Sequence, residues 1–185
     1  MTQAMEGRVR LGISSCLLGE KVRYDGGHKL DRFLMDALGS FVEWVAVCPE
    51  VECGLPVPRE AMRLTGDPAS PRLVAVGTEV DHTDAMRAWA EKRLKGLEKE
   101  DLCGFVFKSR SPSSGLSGVE VYGPSGSSVG AGTGIFARAF IEKFPLVPVE
   151  EEDRLHDPVL LEKFIRRVFV FGRRIQSLLR AKVYY

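Results

Sequence analysis

Three short segments place a reactive side chain directly after an apolar run and ahead of glycine or proline. They are residues 11–19 (LGISSCLLG), 44–60 (WVAVCPEVECGLPVPRE) and 104–115 (GFVFKSRSPSSG). If each apolar run is a strand of one parallel sheet, Cys16, Cys48 and the serines at 111–114 all fall just beyond a carboxyl end. That is the edge where open α/β sheets build their sites. Two thiols, the Glu50 carboxylate and several hydroxyls then converge on one crevice. Thiolates on rigid supports, shielded from water, suit iron–sulfur chemistry. Zinc takes the same residue types but favours close cysteine pairs, of which Cys48 and Cys53, with four residues between them, are the nearest example. A cysteine nucleophile needs a base such as histidine, and only His28, His82 and His156 exist to supply one.

The other candidates are weighed against plainer readings. Glu50, two residues past Cys48, is placed to activate a water beside a metal; Glu52 is its solvated neighbour for comparison. Lys108, Ser109, Arg110, Ser111, Ser113 and Ser114 make a hydroxyl-rich turn that also offers hydrogen bonds and charge to a small polar ligand. Residues 129–134 (VGAGTG) open a helix but lack the full dinucleotide fingerprint, so a lid or close backbone packing fits better than phosphate binding. Residues 154–182 carry eight Lys or Arg against two acids, a solvated helix face or a docking surface for RNA.

The elements that must position these groups follow from periodicity. Residues 9–15 and 42–47 read as buried strands, and 28–38 between them as a helix facing the core through Leu30, Phe33, Leu34, Ala37 and Leu38, with Gly39 as its C-cap. This is a β-α-β unit. Residues 51–71, with four prolines and two glycines, read as an ordered loop, followed by a short strand at 72–76. Residues 81–99 are the clearest helix, with Met86, Trp89, Ala90, Leu94 and Leu97 on one face. A strand at 104–108, another at 119–122, a glycine-rich loop at 123–134, a helix at 135–144, a strand at 146–149 and a helix from Pro158 onward complete the chain. Alternation of strand and helix predicts an α/β fold, a three-layer sandwich with a mostly parallel, Rossmann-like sheet.

Bulk properties exclude several classes. A chain of 185 residues with 44% hydrophobic and 28% charged residues suits a globular domain with a real core. A net charge of +1 leaves no global attraction to nucleic acid or membrane. No apolar run approaches the roughly 18 residues of a membrane span, and the start MTQAMEGRVRLG lacks a signal-peptide region. A cytoplasmic location and four reduced cysteines are therefore expected.

The stretches GISSCLLGEKVRYDGGHK, VCPEVECGLPVPREAMRL, FVFKSRSPSSG and GIFARAF with FPLVPVEEEDRL cover most of residues 11–157. Together they resemble the thiouracil desulfidase family. The resemblance implies an α/β domain over residues 1–157 that binds a 4Fe-4S cluster through three cysteines. Its open iron takes the sulfur of a thiolated uracil without net redox change. Longer relatives carry a further domain and act on 4-thiouridine in tRNA, so residues 158–185 are expected to be a basic helix leading toward such a domain. Cys16 and Cys48 match two family ligands. The third family cysteine falls where this chain has Ser114, so Cys53 is the expected third ligand and Ser114 the alternative. Cys103 lies about six strand residues from the site edge, roughly 20 Å at about 3.3 Å per residue. Glu50 is then the base and Ser111 the catalytic hydroxyl on the pyrimidine edge, with Lys108, Ser109 and Ser113 as substrate contacts. The partner is a thiolated pyrimidine or thiolated tRNA, with no membrane and no identified sulfide acceptor. The competing expectation is an RNA- or nucleotide-binding module that has lost its cluster.

Overall fold

The computed structural model describes residues 9–183, with side chains to residue 174. Strands β1 (Val9–Ser14) and β2 (Val42–Val47) flank helix α1 (Arg32–Leu38) and pair in parallel from Val9↔Val42 to Ser14↔Val47. A four-residue helix α2 (Pro49–Glu52) follows β2 directly, with proline in its first turn, where the missing N–H costs nothing. Strands β3 (Met62–Asp67) and β4 (Ser70–Ala75) form an antiparallel hairpin ahead of helix α3 (Thr83–Leu97). Then come β5 (Gly104–Phe107), β6 (Val119–Tyr122), β7 (Ser128–Gly132), helix α4 (Ile135–Lys143), β8 (Val149–Glu151) and helix α5 (Pro158–Val183).

Two four-stranded sheets result, an all-parallel one in the order β2-β1-β5-β8 and a mixed one in the order β4-β3-β6-β7. The parallel sheet has a helical layer on each face. Leu11, Ile13 and Val106 pack with Leu34 and Leu38 of α1 and with Phe164 and Val168 of α5. On the other face Val45, Val47, Phe105 and Phe107 meet Ala90, Leu94, Phe136 and Phe140 of α3 and α4. Phe105 and Phe107, two apart on one strand and so on one face, stack with ring centroids 4.2 Å apart. Gly12 sits in register with Phe105, and a Cβ there would run into that ring, which is why a glycine interrupts β1. The three-layer α/β expectation therefore stands.

The single-sheet expectation does not. The mixed sheet is separate, with its own core of Leu64, Leu73, Met86, Val121 and Ile135. Residues 51–71 hold the end of α2, a loop, all of β3 and the start of β4 rather than a loop alone. Gly66, next to the end of β3, takes φ +90 at the hairpin, and Pro71, the second residue of β4, lies in the outermost strand, where a missing donor is tolerated. Residues 123–134 contain β7, an exposed edge strand whose pairing is all backbone, so side-chain alternation carries no sign of it. Helix α1 starts at Arg32, leaving Leu30 outside it. Phe33 is 43% exposed and packs against His156 with ring centroids 5.0 Å apart. The last strand is Val149–Glu151, three residues later than expected, with Leu146 exposed. No helix among the described residues is long and apolar enough to cross a membrane.

Candidate active site

In the parallel sheet β1 sends its chain to β2 on one side, while β5 lies on the other, so the strand order switches direction between β1 and β5. A cleft of about 640 Å³ opens at the carboxyl ends there, the place such sheets bind ligands. Cys16, Cys48, Glu50, Lys108, Ser109, Ser111, Ser113 and Ser114 all line it, together with Arg23, Tyr24, Arg59 and Glu152. The convergence expected from strand ends is therefore present. Cys53 is not part of this lining. Its thiol donates to the Glu50 carbonyl at 3.2 Å, and the side chain packs with Met62 and Trp89 against the mixed-sheet core. Cys103 is buried ahead of β5, at the opposite end of the sheet, with a Cβ placed at Gly172 of α5 only 3.1 Å from its sulfur.

Local chain chemistry places each thiol. Cys16 sits in a 3-10 turn (Ser15–Leu18) closed by Gly19 at φ +91, and its carbonyl accepts from Lys29 N at 2.9 Å. Cys48 caps α2, and Glu52 reaches back to accept the Cys48 N–H at 2.9 Å. Burial pushes the Cys16 thiol up to about 11; Lys108 and Arg23 pull it down, while Cys48 and Glu152 push it further up. Burial likewise raises Cys48. Only the thiolate reacts with iodoacetamide. In metal-free protein, alkylation at Cys16 should thus keep accelerating to about pH 11, whereas an ordinary thiol levels off above roughly 8.5. Peptide mapping after timed alkylation checks this, and a plateau below pH 9.5 at Cys16 would contradict it.

The polar wall is already interlocked. Glu50 accepts from Ser113 Oγ on Oε1 at 2.9 Å and from Arg59 on Oε2. Ser113 and Ser111 hydroxyls lie 3.0 Å apart, and the Ser114 N–H donates to Ser111 Oγ at 3.1 Å. The three protons of Lys108 go to Glu152, the Ser109 carbonyl at 3.1 Å and Ser109 Oγ at 3.0 Å. Glu152 also accepts the Ser109 N–H and hydroxyl. Lys108 and Ser109 thus form a closed cluster in which the ammonium acts as a fixed charge. Ser114 as a residue is 3% exposed, and among the described residues no hydrogen bond to its hydroxyl occurs.

Sequence reasoning missed Arg59 and Glu152. Glu152 directly follows β8, so the same strand-end reasoning finds it once that strand is placed correctly. Arg59 follows Pro58 in the quoted PVPRE stretch, but nothing local marks it as a partner of Glu50. As a donor set for a cluster, the cleft offers two thiols and the Ser114 hydroxyl. Among the described residues no group of three or more His, Cys, Asp or Glu is arranged to hold a metal ion. Two thiols suit thiolate-held iron, and Ser114 lines the same cleft.

The chain matches the model of the 2-thiouracil desulfurase family over residues 11–152. Among solved structures it is similar to a 4Fe-4S-dependent thiouracil desulfidase, TudS. The identity is 31% and the TM-score 0.65, covering 84% of this chain and 99% of that one. No curated protein sequence matches.

Proposed function

The chain belongs to the 2-thiouracil desulfurase family, and on that premise we propose that it replaces the sulfur of a thiolated uracil by oxygen. Thiouracil and water become uracil and hydrogen sulfide, with no net redox change. The observation that carries this reading is the meeting of Cys16, Cys48 and Glu50 on one cleft at the switch point of the parallel sheet. In it, Cys16 and Cys48 hold a 4Fe-4S cluster of the kind named for the structural neighbour. Ser114 Oγ is the third donor. Cys53 is the alternative, at the cost of its contact with the Glu50 carbonyl and its packing against the mixed-sheet core. When bound, such a cluster supplies an iron Lewis acid with an open position for the sulfur.

The chain's own residues do the rest. Glu50 Oε1 accepts the proton of the attacking water. Ser111 places its hydroxyl at the pyrimidine edge, held there by the Ser114 N–H and Ser113. Lys108, locked by Glu152 and Ser109, contributes a fixed positive charge to the wall beside Cys16. The substrate is the free base or 4-thiouridine in tRNA. The exposed Lys163, Arg166, Arg167, Arg173 and Arg174 on α5 support the tRNA arm through phosphate contacts.

Anaerobic reconstitution followed by iron, sulfide and uracil measurements tests the reading. About four irons per chain and release of uracil are expected; fewer than about two irons would sink it. Ser114→Cys gives a directional check. A thiolate is the better iron ligand, so this variant should retain its cluster absorbance several-fold longer under a chelator. The presence of only two thiols in the cleft favours one second reading, a cluster-less module that binds thiolated RNA in a salt-dependent way and releases no sulfide.

A further inference from the structure

We infer that Arg59 is the positioning residue of Glu50, holding one carboxylate oxygen captive so that the other is the atom that works on the substrate's water. The inference rests on the desulfurase reading for what Glu50 does and on geometry for how it is held. Arg59 Nε donates to Glu50 Oε2 at 2.8 Å, and Nη2 donates to the same oxygen. A carboxylate oxygen has two lone-pair sites, so Oε2 is saturated. Among the described residues Oε1 accepts only from Ser113 Oγ, at 2.9 Å, which leaves one of its lone pairs open. Because the single Ser113 proton goes to Oε1, Ser111 must be the donor in the Ser111–Ser113 contact.

The guanidinium also reaches two backbone carbonyls, and the Arg59 backbone is pinned separately. Nη2 also donates to the Val22 carbonyl at 2.9 Å and Nη1 to the Pro56 carbonyl at 3.2 Å. The Arg59 N–H donates to the Tyr24 carbonyl at 2.8 Å. Arg59 and Glu50 side chains are 5% and 14% exposed, so water does not loosen the charge-assisted bonds between them. A planar fork of donors makes the four side-chain contacts at once; an ammonium on a flexible stem does not reproduce them. Arg59 touches Glu50 and backbone carbonyls, which makes its role orientation rather than chemistry.

Arg59→Lys in the anaerobically reconstituted protein is the test. It should lower kcat for thiouracil about a hundredfold, the scale expected of a misplaced catalytic group. KM should change less than threefold, iron content should hold, and added guanidinium ion should restore part of the rate. A kcat within threefold of wild type, or a raised KM at unchanged kcat, overturns the inference. Melting temperatures give a readout independent of turnover. If Arg59 holds Glu50, the shifts of Arg59→Lys and Glu50→Gln are non-additive in the double variant; additive shifts overturn the hold. An inactive wild type with non-additive melting overturns the desulfurase reading while supporting the hold on Glu50.

Discussion

Glu50→Gln is expected to lower kcat for thiouracil by about a hundred- to ten-thousandfold, the usual contribution of a general base, with iron and sulfide content unchanged. The substitution is close to isosteric, and its effect follows from the neighbours. Arg59 offers two donors to the Oε2 position, so the amide oxygen must turn toward Arg59. The amide nitrogen then takes the Oε1 position beside Ser113. A nitrogen that carries two protons there donates to Ser113 and accepts nothing. The position that should take a proton from water becomes a donor. Steady-state turnover, measured beside metal content and a melting curve, separates this from loss of the cluster or of the fold. A kcat within tenfold of wild type would show that Glu50 is not the base.

Cys16→Ala and Cys48→Ala are each expected to bring bound iron below half the wild-type content and to abolish uracil formation. Both thiols line the cleft, and thiolate bonds are what hold such a cluster. With a hydroxyl as the best remaining donor in the cleft, losing either thiol leaves one sulfur ligand. Cys103→Ala is the control: that side chain lies at the far end of the sheet, buried against α5, and its iron content should match wild type. Cys53→Ala divides the two accounts of the third ligand. Unchanged iron content leaves the position to Ser114, whereas a loss equal to that of Cys16→Ala gives it to Cys53. Iron per chain after anaerobic reconstitution reads all four variants on one scale. Retention of full iron content by Cys16→Ala and Cys48→Ala would remove the cluster reading altogether.

The local signals in this chain were dependable where packing reinforced them. Residues 42–47 and 119–122 read as strands and are strands with those bounds. The helix around Met86, Ala90, Leu94 and Leu97 is buried along that stripe. Signals failed where an element is held mainly by its backbone. Strand β7 is almost entirely exposed, so its residue types carry no period-two pattern, and β3 lies between Pro58 and Pro68 in a stretch rich in turn formers. Placing the last strand three residues early left Glu152 inside no recognised site, although it holds both Lys108 and Ser109.

The sequence by itself determined that two thiols, a carboxylate and a serine turn would stand at strand ends. An apolar run followed by a turn former is a local pattern, and a parallel sheet gathers such ends at one edge. It also carried the family resemblance, because the quoted stretches surround those same residues. Only the tertiary structure decided which groups engage one another. It set Cys53 against the mixed-sheet core and left Ser114 in the cleft, brought Arg59 onto Glu50, and closed Lys108 with Glu152 across 44 residues of chain. Such contacts depend on strand order, loop path and side-chain direction, which residue types do not fix even for Glu50 and Arg59, nine positions apart.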